Sequence, residues 1–427
     1  MRFLRAEAAR DDRATLAWIN PDAAEILAEA GLTMRSDSSV DSFVMSRFAR
    51  RLCPSGEDEV LVDLYGSSGT TRFGGSGRAG VVNGMQVKGI GPTELVAESA
   101  DWHHSHGGMF LEEALREAIF SELAHREFPL GAVRTVAVIE TGDGIVDRHG
   151  VRHRGALLVR PFVARACHLE RALGFRQGNQ RYQSTAHLRD IGRVLDWMKE
   201  LEFGSQDCVD SFARKAGVQI AHAHIARWFH GGWYSSVMGM DGRLVDFGSS
   251  RKLSNWKRRS YETYGPCFGD ELDFAQTTIG SLGAHIRHYA GRYVEVKASV
   301  QALMHSYRAQ VLDELERALA DGSVESEAAH SAVEFFYRSF QCSHSEDFKD
   351  RWRCLVERLR GMHGVVTPAG FNQGRSGLGN ARYRRELVQE ALFKVLDQSS
   401  QQGDASLTQL EVDGWIGYGG RGNAVQR

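Results

Sequence analysis

Phe73-Gly74-Gly75-Ser76-Gly77-Arg78-Ala79-Gly80-Val81-Val82-Asn83-Gly84-Met85-Gln86-Val87-Lys88-Gly89 places four glycines in the seven positions 74–80, immediately ahead of an apolar run that ends in a lysine. Upstream, Val60, Val62 and Leu64 alternate with other residues, a period-two pattern that predicts a strand. Val81, Val82, Met85 and Val87 supply a second one. The segment therefore reads as a hairpin folded around a glycine loop. Without Cβ atoms the loop backbone can approach phosphates closely and aim its N–H groups at them, and Arg78 adds a charge-assisted donor. Gly75, Gly77 and Arg78 are thus candidate phosphate-binding residues. A glycine loop in a hairpin also simply turns, so its meaning depends on the elements downstream of it.

The next element is a helix. Between residues 109 and 127, Leu111, Leu115, Ile119 and Leu123 recur every four positions, with Glu112 and Glu113 early and His125 and Arg126 late, which suits the helix dipole. Arg116-Glu117 lies on it, 29 positions after Lys88. A lysine that holds phosphates needs a carboxylate to fix its flexible stem, and a glutamate on a neighbouring helix is the kinase-like solution. Two strands are predicted next, Val133–Glu140 and Gly155–Val159, with a turn at Thr141-Gly142-Asp143-Gly144. The order is strand, strand, helix, strand, strand. Further on, His230-Gly231 precedes a tight turn, Met240-Asp241-Gly242-Arg243, and then Leu244-Val245-Asp246-Phe247-Gly248, an apolar strand ending in an acid. Such an acid can hold Mg²⁺ against nucleotide phosphates, because magnesium takes one or two carboxylates and keeps several waters.

These elements predict an α+β chain with a protein-kinase-like two-lobed fold, a β-rich N-lobe and a larger helical C-lobe, with ATP in the cleft between them. The boundaries read as a helical extension over 1–58, the N-lobe over 59–165, the C-lobe over 166–399 with a metal-binding loop at 230–250, and a loosely ordered tail over 400–427. Helices are expected at Leu188–Leu201, Cys208–Phe229, Tyr293–Leu319, Ala328–Phe340 and Ala381–Leu396.

Lysine plus arginine (52) nearly balance aspartate plus glutamate (54), so no global basic field draws the chain to nucleic acid or anionic lipid. The six cysteines are scattered without a CxxC pair, which suits reduced thiols in the cytoplasm. The N-terminus is charged by Glu7 and Arg10, and no run of 18 apolar residues occurs later, so neither export nor a membrane span is expected.

Over residues 60 to 250 the chain resembles the selenoprotein O family, kinase-like proteins that transfer AMP instead of phosphate. Lys88-Gly89-Ile90-Gly91-Pro92-Thr93 is similar to the family's lysine-glycine motif, and Ala114-Leu115-Arg116-Glu117-Ala118-Ile119-Phe120-Ser121-Glu122 to its helix motif. Arg160 and Arg165 resemble two arginines that contact the nucleotide phosphates there, with a shorter spacing here. His230 to Gly248 has the length of the family segment that runs from His-Gly to Asp-Tyr-Gly, placing Asp246 on its metal-binding acid. The resemblance implies ATP and Mg²⁺ as cofactors, an inverted ATP with the α-phosphate presented for attack, and Lys88, Glu117 and Asp246 as the catalytic set.

The departures carry as much information. Where the family has adjacent Asp-Asn, this chain has Ser236-Val237, and the position of the ordinary kinase catalytic aspartate is Gly232. The family's terminal cysteine or selenocysteine pair is absent. Valine cannot bind metal, which leaves Asp246, phosphates, water and Ser235 or Ser236 for that role, and makes Ser236 a fourth candidate catalytic residue beside Lys88, Glu117 and Asp246. A hydroxyl acceptor benefits from a general base, whereas a carboxylate acceptor is already ionised near neutral pH. The expected reaction is therefore AMP transfer to a peptide or protein acceptor, with a peptide C-terminal carboxylate favoured, as in the microcin-maturation proteins that resemble distant relatives of the family. The alternatives are AMP transfer to Ser, Thr or Tyr hydroxyls, and an inactive nucleotide-binding scaffold serving a partner protein in a biosynthetic complex. Three further features are ambiguous. His103-His104-Ser105-His106 reads as a solvated loop before a metal tract, Trp228, Trp233 and Tyr234 as core before a substrate wall, and the basic run Arg251, Lys252, Lys257, Arg258 and Arg259 as a solvated face before a docking site for an acidic peptide.

Overall fold

The computed structural model describes residues 2–34, 38–66, 74–98, 100–172, 185–252 and 267–319. Phe73, the cluster Lys257, Arg258 and Arg259, the helices expected at Ala328–Phe340 and Ala381–Leu396, and the expected tail lie outside the described residues.

Eight strands form one antiparallel sheet: β1 (Phe3–Arg10), β2 (Thr15–Ile19), β3 (Arg50–Leu52), β4 (Asp58–Asp63), β5 (Ala79–Val82), β6 (Met85–Lys88), β7 (Ala137–Glu140) and β10 (Ala156–Pro161), in the spatial order β2-β7-β10-β6-β5-β4-β1-β3. The short hairpin β8 (Ile145–Val146) and β9 (Arg152–His153) joins β7 to β10. Of the inner five strands, β7-β10-β6-β5-β4, the sequence reading gives β4, β7 and β10, while the single strand expected over residues 81–87 is two, β5 and β6, because Asn83 and Gly84 take positive φ and turn the chain back on itself. The N-terminal 58 residues, expected to be helical, instead place β1 and β3 beyond β4 and β2 beyond β7. Among the described residues there, α1 (Ala23–Glu29) and α2 (Val40–Phe48) alone are helical.

Both faces of the sheet are covered, which is why its inner strands are almost continuously apolar. Ala137, Ile139, Leu157 and Val159 pack with Ile26, Leu27, Phe43 and Phe48 of α1 and α2. Their alternates Val138, Ala156 and Leu158 pack with Leu115, Ile119 and Leu123 of α4 (Leu111–Glu127). Burying each of the valine, leucine, isoleucine and phenylalanine side chains contributes about 1.5–3 kcal/mol. The register opposes Leu158 to Lys88 and Arg160 to Gln86. Directly opposed residues share a face, so Lys88, Gln86 and Arg160 all point to the α4 side while Met85 and Val87 enter the other core.

After β10 the chain passes through a single 3₁₀ turn, Ala166–Leu169, into a helical part. Including the small α3 (Trp102–Ser105), the remaining helices are α5 (Thr185–Glu200), α6 (Gln206–Ile225), α7 (Glu271–His285) and α8 (Val296–Leu319). α6 and α8 pack closely because Gly217 has no side chain: a Cβ there would stand 2.4 Å from the Leu303 carbonyl oxygen. The sequence pattern extends α6 to Phe229, but the helix stops at Ile225, and Trp228–Phe229 instead pair as β11 with β12 (Arg251–Lys252). α7, which the sequence pattern does not predict, carries two threonines and two glycines, residues of low helix propensity. No helix of the described residues is long and apolar enough to cross a membrane.

Candidate functional site

The sequence-derived residues meet where the sheet, α4 and the loop after β11 converge. Lys88 ends β6 and is buried; its Nζ donates to Glu117 Oε2 at 2.8 Å and to Asp246 Oδ1 at 2.6 Å. Glu117, fully buried on α4, also accepts from Arg160 Nη1 at 2.6 Å, and Arg160 Nε donates to Gln86 Oε1 at 2.8 Å. One carboxylate thus fixes two cations on neighbouring strands.

Asp246 has φ of 68°, a left-handed conformation uncommon outside glycine and sustained only by surrounding contacts. Phe247 supplies one, being fully buried with its ring 5.3 Å from that of His230. His230 Nε2 donates to the Val245 carbonyl at 3.0 Å, and burial holds its pKa below the usual imidazole value. The Asp246 carboxyl is held well below the usual carboxylate range, first by the Lys88 ammonium, against the opposing effect of burial, with Arg160 and Arg78 reinforcing it. Its side chain is nevertheless 41% exposed. Its preceding strand is reduced to isolated bridges, Met238–Leu244 and Ala132–Leu244, around the expected turn at Gly242.

The glycine loop is partly a packing device. Gly75 has φ of 108°, and a Cβ on it would meet the Asp63 carbonyl oxygen and Leu95 at 2.6 Å. Ser76 Oγ accepts from Ala79 N at 2.8 Å, and the Gly77 carbonyl accepts from Thr93 N at 3.0 Å. Arg78 reaches α4, where Nη2 donates to Glu113 Oε1 at 2.7 Å.

Arg165 lies apart from the lysine. Its guanidinium is buried, donating to Asp63 Oδ2 at 3.0 Å and to the Ser236 carbonyl at 3.1 Å, with its carbon 4.8 Å above the Tyr65 ring. Asp63 also accepts from His168 Nε2 at 3.0 Å, while His168 Nδ1 lies 2.8 Å from Arg165 N and 3.2 Å from the Arg165 carbonyl oxygen. Burial lowers the His168 pKa against the pull of Asp63, and Asp63 is lowered by His168 and Arg165 despite burial.

Four carboxylates therefore answer four cations. Asp63 and Glu113 are not marked by any motif in the sequence. Glu113 precedes Glu117 by four positions, a helical spacing that puts both on one face. Asp63 ends an alternating strand on the face opposite Val62 and Leu64.

Ser236 contributes its carbonyl to Arg165, and Val237 is buried among apolar neighbours. Ser235, offered as a metal ligand, donates to Glu170 Oε2 at 2.6 Å. Among the described residues no group of three or more His, Cys, Asp and Glu could hold a metal unaided. Asp246 is the most exposed of the four carboxylates, so Mg²⁺ would rest on it with phosphates and water.

The cleft is kinase-like. Strand order, the lysine–glutamate pair between β6 and α4, and the left-handed aspartate beside a buried phenylalanine place it so. No family model and no curated protein matches the chain. Among solved structures it is similar to the ROP18 kinase domain in complex with AMP-PNP and sucrose, at 12% identity over 73% of this chain and 85% of that one, with a TM-score of 0.25. It is similar also to a Toxoplasma gondii specific rhoptry antigen kinase domain, at 10% identity over 71% and 85%, with a TM-score of 0.28.

Outside the cleft, Trp228 and Trp233 are buried core, while Tyr234 is exposed against Phe274. In the histidine tract, His104 pairs with Asp101, and His106 stacks on Trp102 with ring centroids 4.5 Å apart.

Proposed function

We propose that the chain binds ATP with Mg²⁺ and transfers AMP to a peptide or protein acceptor, preferentially a peptide C-terminal carboxylate in the maturation of a peptide natural product. The observation that carries this is the buried array of Lys88, Arg160 and Arg165, each held by an inaccessible carboxylate, beside the more exposed carboxylate of Asp246. An adenine ring calls for apolar walls with a few backbone partners. Arg160 at the end of β10 and Arg165 just after it are both buried here and held by Glu117 and Asp63, so what they offer phosphates is a fixed positive charge and not a free guanidinium fork. Phosphates pointing inward along Lys88, Arg160 and Arg165, with the base toward the cleft mouth, is the inverted arrangement that the family resemblance implies.

In the transfer an acceptor oxygen forms a bond to the α-phosphorus while the bond from that phosphorus to the bridging oxygen of pyrophosphate breaks. Lys88, oriented by Glu117, and the guanidinium groups of Arg160 and Arg165 offset the charge of the leaving pyrophosphate. Mg²⁺ on Asp246 would supply further charge neutralisation. Gly232 and Val237 offer no base. A carboxylate acceptor carries no proton to remove near neutral pH, so the site loses nothing for it, whereas a hydroxyl acceptor would forgo a contribution of about 10²–10⁴ in rate.

Incubation with ATP, Mg²⁺ and candidate peptides, and then with hydroxylamine, tests this reading. A peptide hydroxamate with release of AMP is the expected result. AMP found only as a hydroxylamine-stable adduct on a side-chain hydroxyl would replace the carboxylate acceptor with the second reading. ATP binding without AMP transfer to any acceptor would favour the scaffold, to which Val237 lends support.

A further inference from the structure

The cleft cations differ in how firmly their carboxylates are buried. Glu117 and Asp63 are fully inaccessible, so Lys88, Arg160 and Arg165 are held in place by partners that water cannot reach. The Arg78–Glu113 pair sits at the mouth, its side chains 24% and 27% exposed. Arg78 Nη2 and Nη1 reach Glu113 Oε1 and Oε2 at 2.7 and 3.3 Å, and Nη1 also donates to the Gly108 carbonyl at 3.0 Å. Glu113 Oε1 lies 3.8 Å from the position a Cβ on Gly248 would take, two residues past Asp246. A guanidinium that spends its fork on a carboxylate cannot give the same fork to a phosphate.

Resting on the nucleotide reading above, we propose that Glu113 is a positioning residue: it parks Arg78 and with it the glycine loop against α4, and nucleotide phosphates compete with Glu113 for that guanidinium. Arg78 is then the movable cation of the site and the other three are fixed. The partial exposure of the pair makes the exchange feasible, since water can solvate Glu113 as Arg78 leaves. Glu113 also sets a threshold, because a ligand lacking phosphates has nothing to offer Arg78 in return.

Isothermal titration of the full chain with ATP and Mg²⁺ reads the competition directly. Glu113→Gln is expected to tighten ATP about two- to fivefold, the range set by losing one partly exposed ion pair. Arg78→Ala weakens ATP, and on that background Glu113→Gln has no further effect. Without any ligand, Glu113→Gln speeds amide hydrogen exchange across residues 76–82, because the loop has lost its tether. Unchanged or weaker ATP binding in Glu113→Gln, a gain that persists in the Arg78→Ala background, or unaltered loop exchange would each overturn the inference while leaving the nucleotide reading intact. Absence of ATP binding by the wild-type chain would overturn both.

Discussion

Replacing Glu117 with alanine strips a carboxylate from two cations at once. Glu117 is fully buried and holds Lys88 at 2.8 Å and Arg160 at 2.6 Å. Removing one partner of a buried pair costs about 3–5 kcal/mol, because the survivor is left as an uncompensated charge. Lys88 keeps Asp246 and Arg160 keeps Gln86, which places the expected cost near the lower end, about 3 kcal/mol. At about 2–4 °C per kcal/mol, and toward the smaller value for a chain of this length, the melting temperature should fall by about 6 °C. Glu113→Ala is the internal control. It removes a carboxylate of the same type from the same helix, but its pair with Arg78 is partly exposed, so the cost should stay within about 1 kcal/mol. Thermal and urea unfolding of the two variants without nucleotide give the comparison. A Glu117→Ala melt that matches the wild type, or a Glu113→Ala melt shifted further than it, would refute the picture of a fixed inner pair and a loose outer one.

The same geometry leads to further outcomes. Because the folded-state pKa of Asp246 is depressed by Lys88, its stabilising contribution is complete above the unfolded carboxylate value of about 4 and is lost as pH falls below it; the stability gap between the wild type and Asp246→Asn should therefore narrow on acidification, as equilibrium unfolding across pH will show. Gly231→Ala should destabilise, since φ is 97° and the new Cβ would lie 2.3 Å from Ser249 Cβ, whereas Gly248→Ala meets nothing nearer than 3.8 Å and should melt like the wild type. Burial pushes the Cys167 thiol up to about 12, so iodoacetamide on the native protein should label the partly exposed Cys53 and Cys208 well before Cys167, as peptide mass spectrometry will report.

Strands β4, β7 and β10 and helix α4 are legible in the sequence because their patterns are strong, whereas the Asn83-Gly84 turn that separates β5 from β6 is read through as one strand. Leu111, Leu115, Ile119 and Leu123 lie one turn apart, and the apolar runs of β7 and β10 match strands buried on two faces. β1 is not legible: Phe3–Arg10 is rich in Ala, Arg and Glu, good helix formers, and it becomes a strand by pairing along β4 from Phe3 opposite Asp63 to Ala8 opposite Asp58. α7 is hidden by its glycines and threonines, and forms because Leu272, Ala275, Ile279 and Leu282 find a core.

The site shows the same division. Lys88, Glu117 and Asp246 fit an ordered template, and the structure brings them together. Asp63 and His168 are 105 positions apart, and only the fold reveals that they meet under Arg165. Glu113 is within reach of sequence reasoning, since its four-residue offset from Glu117 is a helical spacing; it escapes notice because the lysine–glutamate template assigns no role to a second acid.

The reaction is tested most directly by presenting ATP labelled at either the α- or the γ-phosphate, with Mg²⁺ and a peptide bearing a free C-terminus, and tracing the label. An inverted nucleotide held by Lys88, Arg160 and Arg165 predicts that the α-label passes to the peptide, that the γ-label leaves as pyrophosphate, and that Asp246→Ala abolishes both. Transfer of the γ-label to the acceptor would contradict it and return the cleft to ordinary phosphoryl transfer.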